Sequence, residues 1–144
     1  MALAYGEAEK ALALDEVPVG AVIVQGGEVI GTGHNLTRTD QDPTAHAEMV
    51  AIRKAAAKLG SWWLEDCALY VTLEPCAMCG GGIVLARLSH LVYGATDPKA
   101  GACGSLRHVV SDDRLNHRVK VVSGVMADDC GQILKSFFKS KRNR

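Results

Sequence analysis

From Ala2 to Leu14 the apolar residues Leu3, Ala8, Ala11 and Leu12 fall on one broad side of a helix. Val17 to Val24 reads instead as a strand and Glu28 to Gly33 as its return, with Gln25-Gly26-Gly27 as the hairpin turn between them. A second helix is expected from about Thr44, its N-cap, to Leu59: Met49, Ile52 and Ala56 continue one apolar face, and Gly60 stops it. Ala68 to Leu73 is a third strand, and Pro75 opens a helix reaching about Arg87. The middle of that helix, Gly80-Gly81-Gly82-Ile83-Val84-Leu85-Ala86, has no charged residue and is expected to be buried all round. A strand at Leu91 to Gly94, a loop from Ala95 to Gly104 and a short helix from Ser105 to Val110 follow. A fifth strand, Val119 to Val122, precedes a last helix from Met126 to about Lys141. This alternation predicts an α/β layered domain, and the opening hairpin makes its five-stranded sheet mixed. Gly31-Thr32-Gly33 lacks the third glycine and the following helix of a dinucleotide fingerprint.

Composition narrows this picture in three ways. The 144 residues, 48% of them apolar and 22% charged, suit one globular domain spanning 1–144. Sixteen basic residues balance sixteen acidic ones, so no global field draws the chain to nucleic acid. No apolar run is long enough to cross a membrane, and a start bearing Glu7 and Glu9 does not read as a signal peptide, so the expected location is cytoplasmic. Five cysteines, an odd number, argue against a disulfide framework; Cys67, Cys103 and Cys130 read as small buried apolar residues. Trp62-Trp63 reads as a packing pair with at least one face buried.

The chemistry concentrates in Thr72-Leu73-Glu74-Pro75-Cys76-Ala77-Met78-Cys79. Cys76 and Cys79, at i and i+3 on an opening helical turn, suit two ligands of a tetrahedral metal. Alone they fit equally a redox dithiol, half of a structural zinc site or two core thiols. Upstream, Pro43-Thr44-Ala45-His46-Ala47-Glu48 places His46 and Glu48 in another first helical turn. Two helix N-termini then converge on one ion, and their positive ends offset thiolate charge. His-x-Glu followed by Pro-Cys-x-x-Cys is the established zinc-deaminase signature. It assigns one Zn2+ per subunit to His46, Cys76 and Cys79, leaves the fourth position to water, and makes Glu48 the proton shuttle.

With these motifs the chain resembles the bacterial tRNA-specific adenosine deaminases. The resemblance is carried by Glu16-Val17-Pro18-Val19-Gly20-Ala21-Val22, Asp42 to Glu48, Leu69 to Cys76, Gly101-Ala102-Cys103-Gly104-Ser105-Leu106, Asn116-His117 and Phe137-Phe138. It covers nearly the whole chain, in the family's order. It implies a three-layer α/β/α cytidine-deaminase-like fold, a homodimer, and deamination of the wobble adenosine of a tRNA anticodon stem-loop to inosine. It further implies substrate contacts at Asn35, Ala47, Asp97, Phe137 and Phe138. Ser61, Trp63 and Leu85 depart from the family's pattern.

The metal motif does not choose among cytosine, adenine and guanine substrates. Phe137-Phe138 stands among Lys135, Lys139, Lys141, Arg142 and Arg144. That is either a core aromatic pair on a solvated basic end or a platform for splayed bases beside phosphates. Two rivals remain at this stage. A deaminase of free nucleosides or bases needs no basic aromatic C-terminus, and a non-catalytic RNA-binding module with structural zinc needs a fourth protein ligand and no Glu48.

Overall fold

The computed structural model describes residues 1–143. In chain order the elements are α1 (Ala2–Ala13), β1 (Gly20–Gln25), β2 (Glu28–His34), α2 (Ala47–Leu59), β3 (Cys67–Leu73), α3 (Ala77–Leu85), β4 (His90–Ala95), a 3-10 turn (Val109–Ser111), β5 (Lys120–Val122) and α4 (Ala127–Arg142). The strands form one mixed sheet in the order β2-β1-β3-β4-β5. β1 runs antiparallel to both β2 and β3, whereas the β3–β4 and β4–β5 pairs are parallel. Gly26 and Gly27, with φ of 56° and 82°, close the β1–β2 hairpin in the left-handed region.

Helices cover both faces of the sheet. α1 and α4 line a common groove through Tyr5, Leu12, Ile133 and Phe137. α2 and α3 touch each other, and α2 packs on β2 where Gly31 and Gly33 present no side chain. A Cβ on Gly33 would fall 2.4 Å from the Ala47 carbonyl oxygen, and one on Gly31 2.6 Å from that of Ala51. These glycines serve close helix–sheet approach, which seats the first turn of α2 directly on β2. Ile23, Leu69 and Leu91 from three neighbouring strands are fully buried, as are Leu64, Ile83 and Leu88 beside them. Burial of each such side chain contributes about 1.5–3 kcal/mol.

Four expectations are corrected. Thr44 does not cap α2: Asp42 Oδ1 accepts its N–H (2.8 Å) and its hydroxyl (2.7 Å), closing a turn that delays the helix to Ala47. The helix expected at Ser105–Val110 is a loop and a 3-10 turn, because the Val109 N–H, which a helix would bond to Ser105, goes to the Ala102 carbonyl (2.9 Å), and the Arg107 carbonyl takes the Gly104 N–H (2.8 Å). α3 is not buried all round: Ala77 and Leu85 are exposed, Leu85 by 72%. The tryptophans also stand out, Trp62 exposed by 64% and Trp63 by 43%. Trp63 is held instead by an indole N–H bond to Glu65 (2.8 Å) and by the Arg87 guanidinium 5.6 Å from its ring centroid. Cys67, Cys103 and Cys130 are free and buried, as expected.

Gly33→Val should therefore lower stability by about 1–3 kcal/mol, as overpacked interiors do, and tilt α2 off the sheet. Urea denaturation of the two proteins measures the loss; an unchanged midpoint contradicts this packing.

Candidate active site

Two N-cap residues meet at the centre of the site. His46 precedes α2 with φ −74° and ψ 154°, and Cys76 precedes α3 with φ −76° and ψ 179°. Both backbones are extended there, while their carbonyls already accept the first helical bonds, from Val50 (3.0 Å) and Gly80 (2.8 Å). An extended N-cap lets the side chain turn across the helix end. Pro75 accordingly sits just before the cap and not within the first turn.

His46 Nδ1 lies 3.6 Å from Cys76 Sγ and 3.5 Å from Cys79 Sγ. A tetrahedral ion with Zn–S of about 2.3 Å and Zn–N of about 2.0–2.1 Å separates its nitrogen and sulfur ligands by about 3.6 Å. The three ligating atoms all lie within 4.8 Å of one another, and they are the one such His/Cys/Asp/Glu cluster among the described residues. The donor set and its spacing fit zinc, with no fourth protein ligand in the group. Cys76 is pulled down to about 3 by the Cys79 thiol and the His46 imidazole, so one thiolate stands ready for a cation. Its partnership with Cys76, together with burial, raises Cys79 in turn.

Glu48 follows His46 in the first turn of α2 and is 4% exposed. Burial pushes its carboxyl up to about 7, against the opposing pull of its own backbone N–H and of His46. A carboxyl titrating near neutrality both takes and returns a proton readily.

His46, Ala47, Glu48 and Cys76 line a cavity of about 360 Å³. Asn35 and Asp97 face the same cavity from two loops. Asn35 Oδ1 accepts the Thr37 N–H (3.2 Å) and hydroxyl (2.5 Å). The aromatic pair divides. Phe138, 43% exposed, lines a neighbouring groove with Asp97, Lys135 and Arg142. Phe137 is only 7% exposed and packs toward α1, with Lys141 Nζ 5.3 Å from its ring centroid. The expected substrate contact at Phe137 is thus corrected: its ring is a core group, because the 3.6-residue period turns adjacent residues to different sides. Arg144 lies outside the described residues.

Sequence reasoning assigned no role to two buried carboxylates in the cavity wall, Glu16 and Glu74, exposed by 1% and 2%. Glu16 accepts the N–H groups of Arg38 (3.2 Å) and Thr39 (2.6 Å) and so holds the loop after Asn35. Glu74 holds the loop that carries Asp97 through its N–H (3.0 Å) and those of Cys103 (3.1 Å) and Ser105 (2.9 Å). Burial raises both carboxyls, but these bonds outweigh it and keep both below the usual range. The available signal was a glutamate set in an apolar run, Glu16-Val17-Pro18-Val19 and Leu73-Glu74-Pro75.

Comparison with known proteins places this geometry. A family model described as MafB19-like deaminase matches residues 1–142. The tRNA-specific adenosine deaminase of Bacillus subtilis (strain 168) is 49% identical over 141 residues, covering 98% of this chain and 88% of that protein. Its counterpart from Haemophilus influenzae is 48% identical over 136 residues, covering 94% and 79%. A solved structure from work on A-to-I editing by tRNA:A34 deaminases is 46% identical, with a TM-score of 0.90, and the match covers 93% of this chain and 97% of that one. Guanine deaminase from Nitrosomonas europaea shares the fold at 23% identity, with a TM-score of 0.79 over 94% of this chain and 81% of that one. With a family model matched from end to end and relatives near half identical, the chain belongs to the deaminase family, among the tRNA-specific adenosine deaminases.

Proposed function

We propose that this protein is one zinc-dependent deaminase domain that converts the wobble adenosine of a tRNA anticodon loop to inosine. The observation that carries the chemistry is the meeting of His46, Cys76 and Cys79 beside a fully buried Glu48 on the wall of a nucleoside-sized cavity. The relatives' names support the substrate.

His46 Nδ1 and the two sulfurs would hold one zinc ion. When bound, zinc supplies a Lewis acid that brings the pKa of water toward neutrality. Two thiolates and a neutral imidazole balance its charge. Glu48 removes a proton from the attacking water, delivers it to the adenine ring nitrogen N1, and assists departure of the C6 amino group as ammonia. Burial matters to this role, because it keeps the carboxyl poised near neutrality. Asn35, Ala47 and Asp97 contact the flipped nucleoside, and Phe138 stacks beside it at the basic end of α4.

We also infer a homodimer. Ala77, Gly81 and Leu85 fall at i, i+4 and i+8 on α3, giving the helix an apolar face with Leu85 exposed by 72%. No helix among the described residues is long and apolar enough to cross a membrane, and we assign the protein to the cytoplasm with its tRNA.

Three measurements test this. Incubation with an anticodon stem-loop, free adenosine and free cytidine should deaminate the stem-loop preferentially, and Glu48→Ala should retain zinc but lose at least about 10²-fold in turnover. Equal rates on nucleoside and stem-loop favour a free-nucleoside deaminase instead. Metal analysis should find one zinc per subunit, and Cys76→Ser should lose both the metal and melting temperature, since the ion ties two helix ends together. Full occupancy with unchanged melting removes the ligand assignment. In sedimentation at micromolar concentration the wild type should run as a dimer and Leu85→Lys should shift toward monomer; a monomeric wild type refutes the dimer.

A further inference from the structure

We infer that Glu74 is a positioning residue: its buried carboxylate fixes the Asp97–Ser105 loop as the wall between the catalytic cavity and the basic groove beside it. It thereby sets affinity for a polynucleotide that occupies both. The inference rests on the tRNA reading above and adds a residue that acts through Asp97.

Four donors converge on this one side chain. Oε1 accepts the Asp97 N–H at 3.0 Å and the Ser105 hydroxyl. Oε2 accepts the N–H groups of Cys103 at 3.1 Å and Ser105 at 2.9 Å. The loop is shaped around the carboxylate, since a Cβ on Gly101 would fall 2.3 Å from its carboxyl carbon. Within the loop the bonds are local: Asp97 Oδ1 accepts the N–H groups of Lys99 (3.0 Å) and Ala100 (3.2 Å), and the Gly101 N–H reaches the Asp97 carbonyl (2.8 Å). Glu74 thus ties a self-knit loop to the end of β3.

The loop's position matters because two spaces share it. Asp97 and Leu73 line the catalytic cavity and also the larger groove, of about 900 Å³, that contains Lys135, Phe138 and Arg142. A nucleoside fills the first space alone. A strand whose reacting base enters the cavity lays its neighbouring nucleotide in the second, across Asp97. Displacing the wall therefore costs the strand more than it costs the chemistry, which depends on Glu48 and the three ligands.

Glu74→Gln isolates this contact. Its amide oxygen satisfies Cys103 and Ser105 when placed at Oε2, which leaves an NH2 group facing the Asp97 N–H. The expected result is a rise of about tenfold in KM for the stem-loop, the scale of a lost hydrogen bond to a charged group. kcat should change by less than about threefold and zinc should stay at one per subunit. In a double-mutant cycle, Glu74→Gln with Asp97→Ala should be no worse than Asp97→Ala alone, because the second change removes the side chain that the first misplaces. Multiplicative losses, an unchanged KM, or a loss confined to kcat or to zinc overturn the inference. Ser105→Ala removes one donor without touching the metal segment. It should give a smaller KM rise with the same non-additivity, and it keeps the cycle decisive where the glutamine variant folds poorly. Hydrogen exchange separates the two readings: wild type should protect the Asp97 amide and Glu74→Gln should release it. A wild type inert toward the stem-loop overturns the functional reading, whereas an Asp97 amide still protected in the variant overturns the brace.

Discussion

The site depends on two helices beginning face to face. A helix N-terminus has unbonded N–H groups and a positive end, and here two of them are aimed at one small volume. Each helix begins immediately after an extended residue, and those residues are His46 and Cys76. The sheet enforces the meeting. β3 runs straight into Cys76 through Pro75, while α2 lies on the bare glycines of β2 with its first turn at Gly33. The positive helix end favours thiolate at Cys76, and the same burial that dries the site holds the Glu48 proton near neutrality. Ligation and proton transfer thus come from one arrangement of backbone.

Much of this was legible because it is local. Residues two or three apart on a helical turn have a fixed relation, so spacing set His46 beside Glu48 and Cys76 beside Cys79, and the zinc-deaminase signature joined the two pairs. The strands and helices were legible from period, and the glycine pair closed the hairpin as expected. What escaped was set by competing partners. Thr44 looked like a cap until Asp42 claimed its N–H. The stretch after Gly104 looked helical until the Ala102 carbonyl claimed the Val109 N–H. Phe137 and Phe138 read together as either a core pair or a base platform, but α1 packs against only one of them. The apolar run of α3 read as buried, though a face of it lies open on this chain. Periodicity within a segment shows none of these competitors, whether two residues away, as Asp42 is from Thr44, or at the other end of the chain, as α1 is from Phe137.

The buried carboxylates show how such a partner works. Backbone amides satisfy Glu16 and Glu74, joined at Glu74 by the Ser105 hydroxyl. A carboxylate accepting several N–H groups is strongly stabilised in place, and a loop that supplies those groups loses its alternatives. The two flank the catalytic cavity, one behind Asn35 and one behind Asp97. Rigid walls then require no regular secondary structure.

The same reasoning bears on how RNA is held. Sequence alone suggests a cluster of cations at the end of α4, but Lys141 is 2.5 Å from Asp15 and half-buried against Phe137. A cation already paired in this way neutralises less phosphate and releases fewer counterions. With sixteen basic and sixteen acidic residues in the chain, long-range attraction is small. On the proposed reading, affinity comes instead from short-range contact: a base enclosed in the cavity, its neighbour against Phe138, and walls that do not yield. That places selectivity in the loops and makes the buried glutamates beneath them matter more than the visible charge on the surface.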